Sequence, residues 1–426
     1  MKKLSKAFLP LGDILKGTQM DTNGIIVGLD IGTTKIAAVV GEQDEYGKVN
    51  IVGVGLAPSH GLRRGVVINM KTTVQSIRKA VEQAELMCGH KISHVYAGIA
   101  GDHIRSINSK GVIAVSGKDH IITEKDRDRV ISAAQAIALP MDREILHVLP
   151  QEYIVDGQDG IRNPVGVAGV RLECEIHIVT AAAASAKNIV NCIEEAGYEV
   201  ADIVLEPYAS SLAVLDADER DLGVAIVDIG GGTTDLAMFF DGSIRHTSVI
   251  GLGGQHVTSD LSQGLRTSMD QAEELKKKYG VAMQTQLEGD EIIKVPGVAG
   301  RAPRDISRGV LAAIIQPRME EIFQLTLREM EKADVFDYMG AGIVLTGGAA
   351  MLQGVGELAE RVTGLPVKIG EPNASGGLAE TIKSPMYATG VGLIYYAIYY
   401  GKSGGGKRPI TWIIDRFKEM VDNLFG

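Results

Sequence analysis

Residues 226–237 read IVDIGGGTTDLA. Two apolar residues run into Asp228. Gly230, Gly231 and Gly232 follow, then Thr233, Thr234, a second acid at Asp235, and more apolar residues. An earlier stretch, IVGLDIGTTKIAA at 26–38, sets Asp30 in the same surroundings, with Gly32, Thr33, Thr34 and Lys35 after it. Both stretches predict strand, tight turn, strand. Such a turn can direct backbone N–H groups into a concave nest that holds an anion. Glycine is needed there because a Cβ blocks the close approach and the required φ angles. The threonine hydroxyls add donors. A carboxylate at the strand end repels phosphate, but it holds magnesium through water, and the metal bridges to the phosphates. Either stretch alone reads as readily as an ordinary β-turn. Two in matching settings predict a clamp on the β- and γ-phosphates of a nucleotide, with Mg2+ held through water by Asp30 and Asp228. The pattern is not the GxxxxGK[ST] loop, whose glycines lead into a helix. GKSGGG at 401–406 lacks that loop's spacing.

The chain has 426 residues, enough for two or more domains. It is 45% hydrophobic and 23% charged, as soluble globular proteins are. A formal net charge of −10 argues against nucleic acid as a partner. Cys88, Cys174 and Cys192 lie far apart with no zinc spacing, the pattern of a reduced, cytoplasmic chain. His90 and His94 have helical spacing, but Gly89 and strand-like neighbours argue against a metal site. The first twenty residues begin basic and turn apolar, interrupted by Pro10, Gly12 and Asp13 and with no small-residue cleavage site. They predict a mobile tail, 1–23, and not a secretory signal. ATGVGLIYYAIYY at 388–400 is too short to span a bilayer and reads as a buried helix.

Strand-like and helix-like runs alternate, which predicts an α/β fold. Residues 24–30, 34–43 and 49–59 read as a strand meander. Residues 71–87 read as a surface helix with Val74, Ile77, Val81, Ala84, Leu86 and Met87 apolar. Three strand-like stretches and the helix opened by Thr123 and Asp126 suggest a small inserted subdomain at about 90–172. The second half restarts at 201, passes the glycine cluster, becomes helical from about 258 to 334, and returns as a strand at 341–352. The repeated acidic turn predicts two similar domains facing each other.

Other residues fit the same cleft. Glu206, at the head of VLEPYASSLAVL, is placed to orient a water towards the γ-phosphate. Gly347 and Gly348 end a strand before a helix, where ligands approach the backbone of α/β sheets. Glu273 and Lys276, on a charged helix end, can reach a ribose or base, or simply form a solvated face.

DIGTTK, VDIGGGTTD, LEPYAS and LTGGAA, in that order, resemble the motif series of the actin, sugar-kinase and heat-shock-chaperone ATPase superfamily. GLRRGVVINM, GIAGDHI and LPQEYIVDGQ narrow the resemblance to the bacterial cell-division FtsA family. It implies an actin-like (ribonuclease-H-like) α/β fold of duplicated domains with a nucleotide cleft between them. The first core subdomain would comprise 24–89, 173–200 and 380–400, with the insert at 90–172. The second would comprise 201–261 and 326–379, with an outer helical subdomain at 262–325. By resemblance the first phosphate motif is Asp30 to Lys35 and the second Asp228 to Asp235. Glu206 is the connecting glutamate and the candidate catalytic residue. Glu273 and Lys276 contact the purine, and Gly347 and Gly348 the adenosine. The resemblance further implies ATP and Mg2+ as cofactors, self-association into filaments, and at most slow hydrolysis. It implies a peripheral location on the cytoplasmic face of the membrane at the division site, where the chain anchors the ring of the tubulin-like FtsZ and meets other division proteins. The FtsZ C-terminal tail would dock on 262–325, where Arg301, Arg304, Arg308 and Lys294 can attract an acidic peptide. The competing readings are a soluble sugar or metabolite kinase, for which no catalytic aspartate stands out, and a chaperone ATPase, for which a peptide-binding domain is missing.

After the linker 401–408, residues 409–426 form an amphipathic pattern. Ile410, Ile413, Ile414, Phe417, Met420, Val421, Leu424 and Phe425 share one helical face, and Trp412 sits near it. Pro409 suits a first turn, and Lys407 and Arg408 favour anionic lipid. A helix docked on its own domain would show the same face. The glycine linker detaches this one, which predicts membrane binding.

Overall fold

The structure, a computed structural model, describes residues 24–401 apart from 45, 46, 118, 288, 290, 298–300 and 375. The first glycine turn joins β1 (Ile25–Ile31) to β2 (Lys35–Gln43), and β3 (Val49–Pro58) completes an antiparallel meander. A short ribbon, β4 (Leu62–Arg63) and β5 (Val66–Val67), leads into α1 (Met70–Cys88). The Asn69 side chain accepts the Thr72 N–H at 3.2 Å and caps this helix. Gly89, at φ 74°, ends it in the left-handed conformation. Val74, Ile77, Val81 and Ala84 are buried as their spacing predicts. Each large one contributes about 1.5–3 kcal/mol. Leu86, expected on the same face, is 85% exposed, because it follows Ala84 by two positions and so points to the other side of the helix.

Strand β6 (His94–Ile99) pairs parallel with β1. The chain then builds a separate four-stranded sheet from β7 (Arg105–Ala114), β8 (Arg143–Val155), β9 (Gln158–Ile161) and β10 (Arg171–Ala182), in the order β7–β10–β8–β9. Helix α2 (Glu124–Gln135) packs on it and starts at the expected Thr123–Asp126 capping box. After α3 (Ala183–Ala196), β11 (Glu199–Leu205) returns to the first sheet beside β6. The insert expected at 90–172 is therefore corrected at both ends. Strand β6 belongs to the first sheet, and β10 belongs to the insert through Ala182. Strand character is a local property, whereas sheet membership is set by partners distant in sequence.

The second half repeats this plan. After α4 (Glu206–Val214) and α5 (Ala217–Leu222), β12 (Val224–Ile229), β13 (Thr234–Phe240) and β14 (Ser243–Ile250) form the second meander. Helices α6 (Gly254–Leu265) and α7 (Met269–Tyr279) follow, then the hairpin β15 (Ile292–Val295) and β16 (Arg304–Ser307), then α8 (Arg308–Met330). The stretch expected to be helical throughout thus contains a two-stranded ribbon. Strand β17 (Gly342–Thr346) stops where Gly347 takes φ 86°, short of the expected 352. Helix α9 (Val355–Thr363), β18 (Val367–Ile369), α10 (Ala379–Ile382) and α11 (Ala388–Tyr400) complete the described chain.

The two sheets, β3–β2–β1–β6–β11 and β14–β13–β12–β17–β18, have the same order and the same mixture of antiparallel and parallel pairs. Helices α4 and α11 lie between them. One core joins Ile26 and Val39 of the first sheet, Ile226 and Val344 of the second, and Ala209, Val391 and Ile394 of the two helices. Close packing there depends on Gly392, where a Cβ would stand 1.9 Å from the Ala209 carbonyl oxygen. The 388–400 segment is a helix buried on most sides, as expected. The tail 1–23, the linker 402–408 and residues 409–426, expected to form a membrane-binding helix, lie outside the described residues.

Candidate functional site

The duplicated meanders bring their glycine turns face to face. A Cβ on Gly231 would stand 2.4 Å from Thr34 Cγ2, and one on Gly232 would stand 2.6 Å from Thr33 Oγ1. No side chain fits at either position while the turns meet. The Gly230 N–H closes its own turn onto the Thr233 oxygen at 3.0 Å. The carbonyls of Gly230 and Gly231 accept the N–H groups of Gly254 and Gln255 at 2.9 and 2.8 Å, so the start of α6 supports the second turn.

Asp30 and Asp228 end the first strand of each meander, and both are buried. The Lys35 ammonium pairs with Asp30. Burial works most strongly against this ammonium, but the charge and hydrogen bond of Asp30, with the charges of Asp228 and Glu206, together outweigh it and hold the lysine above its ordinary range. Asp228 Oδ2 accepts the Ser210 hydroxyl at 3.1 Å and the Thr389 hydroxyl at 3.4 Å, so α4 and α11 both hold it. Burial and then Asp30 push its carboxyl up to about 6. Asp235 is paired with Asp228 across the β12–β13 ladder. It accepts the Thr233 hydroxyl at 2.8 Å, while its Oδ1 is buried and without a partner among the described residues. Burial and then Asp228 push it up to about 8. Glu206, the first residue of α4, lies against Gly98, where a Cβ would be 3.3 Å from Glu206 Oε1. Burial first, then Asp30, Asp235 and Asp228, raise its carboxyl well above the ordinary range.

Asp30, Asp228 and Glu206 thus surround one half-buried ammonium, Lys35, and Asp235 adds a further acid beside Asp228. Such a surplus of desolvated carboxylates favours protonation or a divalent cation. No three acids, histidines or cysteines among the described residues stand close enough to ligate a metal directly. This donor set fits an ion that keeps most of its water, as magnesium does.

The remaining predicted residues flank this centre. Thr346 is paired with Asp228 in the sheet, and a Cβ on Gly347, the next residue, would stand 2.3 Å from Asp228 Oδ1. Gly348 has open space where its Cβ would be. Glu273 and Lys276 form an ion pair at 2.7 Å on α7. Lys276 also donates to the Gly254 oxygen at 2.9 Å and to Thr258 Oγ1 at 2.8 Å, and Glu273 accepts the Thr258 hydroxyl. Its link to Gly254 places the pair beside the second turn's support. The solvated-face alternative fails for Lys276, whose side chain is 15% exposed. Ser210, Thr389 and Gly98 went unrecognised in the sequence, where a lone serine, threonine or glycine carries no signal. Arg301 and Arg304 are exposed around the β15–β16 hairpin. Arg304 donates to the Leu265 carbonyl. Arg308 is drawn inward, to the Tyr279 oxygen at 2.9 Å and Gln353 Oε1 at 3.0 Å.

The profile of a family described as Cell division protein FtsA matches residues 225–392, and that of an SHS2 domain inserted in FTSA matches 101–180. The cell division protein FtsA of Neisseria meningitidis is 46% identical over 413 residues, 93% of this chain and 98% of that one. The Pseudomonas aeruginosa protein is 44% identical over 411 residues, 94% and 98% of the two chains. The Escherichia coli protein is 41% identical over 379 residues, 87% and 90%. Among solved structures, a PilM–PilN type IV pilus biogenesis complex superposes with a TM-score of 0.64 at 16% identity, over 88% of this chain and 98% of that one. MreB5 of Spiroplasma citri bound to ADP does so at 0.52 and 17%, over 87% and 95%. The twin sheets, the helices between them and the facing turns make this an actin-like α/β protein with an inserted small subdomain, as expected, and the insert matches an SHS2 domain. Within that class, the chain belongs to the FtsA family of cell-division proteins.

Proposed function

We propose that this chain binds ATP with Mg2+ between its lobes and polymerises on the inner face of the cytoplasmic membrane at the division site. There it anchors the FtsZ ring and helps recruit other division proteins. The observation that carries the reading is the meeting of the two glycine turns around Lys35, with Asp30 and Asp228 buried behind them. Asp30 and Asp228 are the residues to hold Mg2+ through water, and the ion offsets both the carboxylates and the phosphates. Lys35 and the hydroxyls of Thr33 and Thr34 supply further donors, whereas the expected Thr233 and Thr234 hydroxyls are spent on Asp235 and the Leu252 oxygen. Gly347 and Gly348 line the adenosine, with Glu273 and Lys276 beside the purine. Structures of Spiroplasma citri MreB5 with ADP and with AMPPNP show that one protein of this fold takes such ligands.

Glu206 is the residue to orient a hydrolytic water. No helix among the described residues is long and apolar enough to cross a membrane. The attachment is assigned to 409–426, whose apolar face and tryptophan suit the bilayer interface. The FtsZ tail is assigned to the outer subdomain around Arg301 and Arg304. Flotation of the full chain on anionic vesicles with FtsZ and Mg2+–ATP tests the reading. Co-flotation of FtsZ that requires both nucleotide and residues 409–426 is expected, and a chain that floats FtsZ equally well without its tail would overturn it.

A further inference from the structure

The ribbon between β4 and β5 presses a strained arginine against the first turn. Arg64 and Gly65 both have positive φ, 50° and 76°. A non-glycine residue in that region is uncommon and persists where its surroundings fix it, often at ligand clamps. The surroundings here are rigid. A Cβ on Gly65 would stand 2.0 Å from the Ala100 oxygen, and one on Gly101 would stand 2.6 Å from the Arg64 oxygen. The Gly65 N–H donates to Thr33 Oγ1 at 3.3 Å, tying the ribbon to the turn that meets Gly232.

The side chain of Arg64 reaches Asp102, at the start of the insert, with Nη1 3.7 Å from Oδ2. Asp102 in turn touches the second lobe, since a Cβ on Gly251 would be 3.0 Å from its Oδ1. Two residues on, Gly253 is wedged against the carbonyls of Gly230, Gly231 and Thr233. Asp102 is near enough to add to the rise of the Asp235 carboxyl, behind burial and Asp228. The pair therefore spans both lobes beside the facing turns. At 3.7 Å, with both side chains nearly half exposed, it is no hydrogen bond and contributes little. A guanidinium held that loosely exchanges readily for an anion it can grip with two N–H groups.

We propose that Arg64 reads the terminal phosphate of the bound nucleotide: it leaves Asp102 for the γ-phosphate of ATP and keeps Asp102 when ADP is bound. This inference rests on the nucleotide reading above. Asp102 acts as the competing anion, so the two residues set the preference for triphosphate over diphosphate.

The test measures equilibrium affinity of the full chain for Mg2+–ATP and Mg2+–ADP, with thermal melts of the nucleotide-free protein as a folding control. Arg64→Asn keeps a residue that tolerates positive φ and removes the charge. It should weaken ATP about tenfold, as expected for one charge-assisted contact, and leave ADP within about twofold. Arg64→Lys, which loses the two-pronged grip, should fall between. Asp102→Asn frees the arginine and should tighten ATP severalfold without affecting ADP. Equal losses for both nucleotides in Arg64→Asn would show that Arg64 only props the Thr33 turn, and unchanged affinities would show an ordinary surface pair. Either result overturns the proposal while the nucleotide reading stands. A wild-type chain that bound neither nucleotide would remove that reading and this one together.

Discussion

Asp30 and Asp228 occupy the same place in the two halves, each the residue before last in the first strand of its meander, yet Asp30 faces Ala37 across the ladder and Asp228 faces Asp235. The duplication is broken at that pair in its charge. The first lobe answers its acid with Lys35, whereas the second adds another acid behind its turn. Around the two strand ends the carboxylates therefore outnumber the one ammonium paired with them, an arrangement that favours protons or a metal.

The imbalance sets a pH dependence. Asp228 and Asp235, raised to about 6 and about 8, hold protons in the folded chain that the unfolded chain releases near about 4. Between those limits the folded state binds more protons, so stability without ligand falls as pH rises. Asp235→Asn should raise the melting temperature at pH 8 in EDTA, with little effect at pH 5. Mg2+-dependent ATP affinity should change in the opposite sense, rising with pH as the carboxylates ionise. Melting temperatures that do not depend on pH in either chain would contradict the buried-charge account.

Gly231→Val places a branched side chain where a Cβ alone would be 2.4 Å from Thr34 Cγ2. The turns must then separate, and ATP binding should be lost in a nucleotide titration. The nucleotide-free protein should remain folded, because the collision is between lobes and not within a core. Unchanged affinity would refute the clamp.

Glu206→Ala should leave nucleotide affinity nearly intact and reduce only residual hydrolysis. It also removes a carboxyl crowded by Asp30, Asp235 and Asp228, so the ligand-free chain should not be destabilised at pH 8. A large fall in ATP affinity, measured by calorimetry, would mean that Glu206 orders the metal instead.

Trp412→Glu or Phe417→Glu inserts a charge into the face assigned to lipid, and each should release the protein from anionic vesicles. Burying a large apolar side chain contributes about 1.5–3 kcal/mol. One helix therefore binds modestly, and a filament multiplies the attachment. Deleting 405–426 should abolish flotation with ATP binding retained, because the turns lie in the meanders and not near the chain's end.

For the FtsZ tail, Arg301→Glu is the cleaner probe, since Arg304 also donates to the Leu265 carbonyl and its loss disturbs the hairpin. Arg301→Glu should weaken the peptide severalfold at low salt and less at high salt. If affinity and salt dependence were both untouched, the docking surface would lie elsewhere.

The sequence by itself determined the two turns, the strands around them and the repeat, because glycine, threonine and aspartate at a strand end are demands of local backbone and charge. It also determined the capping box at Thr123 and Asp126, another contact between near neighbours. Tertiary structure alone decided what lies far apart in the chain. It set β6 in the first sheet and β10 in the insert, because a strand's partner is chosen by a surface built elsewhere. It brought Ser210 and Thr389 onto Asp228, from 18 and 161 positions away, and neither hydroxyl has a sequence pattern to announce it. It drew Arg308 inward while leaving Arg301 exposed. Charge can be read from composition, but whether a charge meets water, a carbonyl or another charge depends on how the chain packs.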